Sequence, residues 1–118
     1  MYRFVKTDDR GDSRFLDSFK SRQELGYEPR PGVETEHPAV HGGISVFRDQ
    51  TVLIQVLQKT RRRGFREGEA VARLELDASL GVSFHEWGTP GHLTLWGEPV
   101  KLSQAVTGTV PLWEEAET

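Results

Sequence analysis

The chain has no cysteine, which removes disulfide frameworks, thiolate nucleophiles and Cys-ligated zinc or iron–sulfur centres from its chemistry. It also lacks any apolar run approaching the roughly 20 residues of a membrane-spanning helix. Residues 1–6 (MYRFVK) enter a strand-like pattern at once, with no signal-peptide core. A cytoplasmic protein without membrane contact is the expectation. No G-x-G-x-x-G or Walker loop is present, so Rossmann-type dinucleotide binding and P-loop chemistry have no support. Nor is there a cationic excess. Fifteen Lys and Arg against 18 Asp and Glu leave a net charge of −3, a poor match for a protein that works by neutralising a nucleic-acid backbone.

What is present fits one domain over residues 1–118, with 36% hydrophobic and 28% charged residues, 12 glycines and 6 prolines. Residues 2–5 suit a first strand. Asp12 or Ser13 can cap a short helix carrying Phe15, Leu16 and Phe19, with Gly26 placed as its C-terminal stop. Pro29, Pro31 and Pro38 with Gly32 predict an extended surface loop over residues 27–41, without an element of its own. A strand over 44–47 follows the Gly42-Gly43 pair. Asp49 then caps a helix reaching toward Arg61, Arg62 and Arg63, although the β-branched residues 51–54 also allow a strand.

Residues 70–76 (AVARLEL) alternate cleanly and read as a strand. Further ones are expected at 82–84, 92–96 and 106–112, with a turn at 88–91, one helical turn at 102–105 and a flexible acidic tail at 113–118. About six short strands and two helices imply an α+β domain built on a bent, largely antiparallel sheet.

The four histidines do not fall on a helix at metal-ligand spacing: His37 and His41 flank Pro38 in the expected loop, and His85 and His92 lie seven apart, so no metal is expected. Ser45 follows Gly-Gly-Ile and does not sit in a G-x-S-x-G elbow. Lys59, Arg61, Arg62, Arg63 and Arg66 gather cations around Phe65, but Glu67 and Glu69 dilute them, which disfavours a nucleic-acid partner. On strand 92–96, Leu93 and Leu95 share one face, while His92, Thr94 and Trp96 share the other, a set suited to a ligand pocket.

A more specific arrangement joins Arg3 on the first strand, Ser45 on a strand preceding a helix, and Glu98 just after a late strand. In element order and in this Arg, Ser and Glu set, the chain resembles the ADP-ribosyltransferase fold and its related toxin domains. Tyr2-Arg3 matches the first motif of that family, Gly43-Ile44-Ser45-Val46-Phe47 the second and Trp96-Gly97-Glu98-Pro99 the third, spanning nearly the whole chain. Val100 stands where the family's second carboxylate would be. The string 91–99 (GHLTLWGEP) is similar, more narrowly, to a segment of a group of small bacterial proteins.

The resemblance implies NAD as substrate, with ADP-ribosyl transfer or NAD glycohydrolysis as the activity. Arg3 would hold the pyrophosphate or a ribose, and Ser45 the nicotinamide ribose. Phe47 or Trp96 would stack on the nicotinamide ring. Glu98 would act as the catalytic carboxylate, stabilising the oxocarbenium-like state. Read without the resemblance, Arg3 is an edge-strand cation, Ser45 satisfies a backbone group and Glu98 is an exposed turn carboxylate. A second reading of the chain is a non-catalytic module that docks a protein or nucleic-acid partner on the Pro-rich loop or the Trp-bearing face.

Overall fold

Strand and helix follow each other according to short-range chemistry. A computed structural model describes residues 1–60, 64–87 and 91–112. In chain order the elements are β1 (Tyr2–Val5), α1 (Ser13–Asp17), α2 (Val33–Glu36), α3 (Pro38–His41), β2 (Ile44–Phe47), α4 (Gln50–Thr60), β3 (Ala70–Leu74), β4 (Ser83–Glu86), β5 (His92–Trp96), α5 (Pro99–Gln104) and β6 (Val106–Pro111). Asp12 caps α1 by accepting from the Arg14 N–H, and Asp49 does the same for α4 through Thr51 at 2.7 Å.

Three expectations change. The segment 27–41 holds two short helices, α2 and α3, where an extended loop was expected. Its prolines explain why: Pro38 occupies the first turn of α3, where a missing N–H costs nothing, and Pro31-Gly32 lies just before α2. With α5 beginning at Pro99 instead of residue 102, the described residues contain five helices and not two. Finally, β3 ends at Leu74, where its register against β6 shifts after Arg73. The turn at 88–90, Arg61 to Arg63 of the basic run and the tail at 113–118 lie outside the described residues.

The six strands form one antiparallel sheet in the order β4-β5-β2-β1-β3-β6, giving the α+β domain expected. Alternation assigns the two faces. Val5, Ile44, Val46, Ala72, Leu93 and Leu95 pack with Phe15 and Phe19 and with Leu102 of α5 in the main core. Phe47 and Val71 point the other way, onto Leu53 of α4. No helix among the described residues is long and apolar enough to cross a membrane.

One joint in the sheet is weak. β1 and β2 meet through Tyr2 opposite Phe47, and the strands part beyond that pair. By contrast β1 pairs with β3 along its whole length. The opening between β1 and β2 sets the position of the candidate site.

Candidate functional site

Where β1 and β2 separate, the Arg3 side chain spans the opening. Its Nε donates to the Ser18 carbonyl at 2.9 Å and its Nη1 to the Ser45 carbonyl at 2.8 Å. These bonds use two of the five guanidinium N–H groups, and the rest have no partner among the described residues. No carboxylate of the described residues pairs with Arg3, and burial pushes its pKa down to about 10. A half-buried cation without a counterion is less well solvated than a free one, and an anion drawn to it offsets that cost.

Arg3 and Ser45 both line a cleft of about 650 Å³ between the split strands and the segment that carries α1, α2 and α3. Six cations line it, Arg3, Lys6, Arg14, Lys20, Arg22 and Arg30, against two carboxylates, Asp17 and Glu34. Arg14 is paired with Asp12 at 2.7 Å and Lys20 with Asp17 at 2.9 Å. Lys6, like Arg3, has no ion-pair partner among the described residues. Leu25, Tyr27, Val40 and Ile44 add apolar surface to the same walls.

The outer wall is held by Glu34. One carboxylate oxygen accepts from Arg22 Nε at 3.2 Å and from the Arg30 backbone N–H at 2.9 Å, and lies 3.0 Å from His41 Nδ1. The Arg30 N–H, with help from His41 and Arg22, holds this carboxyl below its ordinary range despite its burial. Arg22 also donates to the Glu28 carbonyl, and its guanidinium lies 5.0 Å from the centre of the Tyr27 ring.

The other residues singled out from the sequence lie apart from this cleft. Phe47 and His92 do come together, stacked at 4.7 Å with 8° between their planes, but Phe47 belongs to the core under α4. His92 Nε2 is buried without a hydrogen-bond partner among the described residues, and desolvation holds the imidazole pKa below its ordinary value. Trp96 donates its indole N–H to the Ala39 carbonyl at 2.7 Å and so ties α3 to the sheet. Glu98 precedes α5 with its side chain 71% exposed, 3.7 Å from Lys101, and does not line the cleft. Of the face shared by His92, Thr94 and Trp96, only Thr94 lines it, and its hydroxyl accepts from Trp87 at 2.9 Å.

Among the histidines, His41 serves Glu34, while His37 and His85 flank the Trp87 ring at 5.2 and 4.3 Å. No group of three or more potential metal ligands occurs among the described residues. Sequence reasoning missed Lys6, Arg22, Tyr27 and Glu34. The density of cations over residues 3–30 was the available signal. No family model, curated protein or solved structure matches this chain.

Proposed function

We propose that the cleft between β1 and β2 binds an anionic small molecule, a nucleotide of the NAD class, with Arg3 gripping its phosphates. The observation that carries this reading is the half-buried Arg3, which no carboxylate of the described residues pairs with, in a cleft whose lining cations outnumber its carboxylates six to two. Two carbonyls already fix the guanidinium, so little side-chain entropy is lost when an anion arrives. The volume, about 650 Å³, lies in the range of ordinary ligand pockets.

The reading stops at binding. ADP-ribosyl transfer needs a carboxylate beside the reacting sugar, and Glu98 stands outside the cleft. Asp17 and Glu34 line it but are already engaged by Lys20 and by Arg22. The likeness to ADP-ribosyltransferases therefore supports this reading only as a fold-level analogy.

Titration of the labelled protein with NAD and with ADP-ribose tests the proposal. Amide shifts at Ser18 and Ser45 and a shift of the Arg3 Nε–H signal are expected, with weaker binding in Lys6→Ala, whose side chain holds nothing else among the described residues. Absence of all these shifts at millimolar ligand overturns the reading.

A further inference from the structure

The geometry points to Tyr27 as the platform for the ligand's planar ring, which makes the cleft's ligand a phosphorylated molecule with an aromatic base or base-like group. This inference rests on the nucleotide reading above and adds where the ring is recognised. Phe47 and Trp96, the aromatic residues that the strand pattern offered for stacking, are already committed. One face of Phe47 is covered by His92 and its surroundings are core, and the Trp96 indole is bonded to Ala39. Tyr27 differs from both. It lines the same cleft as Arg3 and Lys6 and is 56% exposed.

Tyr27 is also oriented. Arg22 lies over its ring at 5.0 Å, and Arg22 is itself fixed by Glu34 at 3.2 Å and by the Glu28 carbonyl at 3.2 Å. This chain from carboxylate to guanidinium to ring holds an exposed phenol at the lining of the cleft. A flat π-system there gains stacking energy that does not depend on which base it is. The phosphate end falls to Arg3 and Lys6, the two lining cations without carboxylate partners among the described residues.

Calorimetric titration with two probes, ADP and inorganic pyrophosphate, tests this on the full chain. ADP is expected to bind more tightly than pyrophosphate. Tyr27→Leu should weaken ADP by about tenfold, in line with the loss of one base–aromatic stack, and leave pyrophosphate unchanged, whereas Tyr27→Phe should behave as the parent. Equal affinity for the two probes overturns the inference while leaving the anion-binding reading intact, as does a Tyr27→Leu protein that holds ADP normally. A Tyr27→Leu protein that loses both probes equally overturns it too, because Tyr27 would then shape the cleft without touching a ring. If neither probe binds the parent protein, the nucleotide reading itself fails and this inference falls with it.

Discussion

Glu34 shows how one side chain can organise a wall of the cleft. Its carboxylate gathers Arg22, the Arg30 N–H and His41, three groups drawn from either side of α2 in the chain. Because these contacts hold the folded pKa below the ordinary value of 4.5, their contribution is fully present above that pH and is lost as pH falls through the folded value. Acid unfolding followed by circular dichroism should therefore begin at higher pH in Glu34→Gln, whose amide lacks the charge, and the two proteins should converge at the acid end. A parent profile that matches the variant throughout would remove Glu34 from this role. None of this was legible in the sequence. The segment that carries Glu34 read only as an extended Pro-rich loop, because contacts between Arg22, Glu34 and His41 follow no helical or strand period. Arg3 and Ser45 entered through the Arg, Ser and Glu set of the resemblance, and both sit on strands that line the cleft.

Between elements, the tie that matters most for the cleft runs from β5 to α3. Gly43 makes it possible: a Cβ there would run into the Thr94 methyl and come within 2.9 Å of Trp96 Nε1, so only glycine lets the indole reach the Ala39 carbonyl. Removing the indole N–H with Trp96→Phe is expected to cost about 1 kcal/mol, the net worth of a typical hydrogen bond. The loss should be felt locally. Amides of residues 38–43 should exchange faster by hydrogen-exchange mass spectrometry, while β1 and β3 keep their protection. Uniform acceleration across the sheet would instead mark Trp96 as a core residue. Strands 2–5, 44–47 and 92–96 and the helix after Asp49 were readable from period and caps. The helices α2 and α3 were not, since elements of four residues carry too few turns to show a period, and prolines that favour helix starts also favour loops.

At the scale of the molecule, charge distribution and net charge point in opposite directions. The sum is −3, which by itself repels anions, yet one cleft collects six of the fifteen Lys and Arg. Composition could report only the sum, and so it argued against a polyanion partner without revealing the local field. Salt separates the two contributions. At about 0.01 M ionic strength the screening length is about 30 Å, so a ligand in the cleft also feels the acidic remainder of a molecule with extents of 47 × 32 × 28 Å. At about 0.1 M it shrinks to about 10 Å, which hides the distant carboxylates and leaves the contacts of half-buried Arg3 less screened than those of exposed Lys6. Near 1 M, about 3 Å, even those contacts weaken. ADP affinity, measured by calorimetry across this range, should thus change little from the first condition to the second and fall toward the third. A steep fall already over the first interval would place the anion on exposed cations instead of half-buried Arg3.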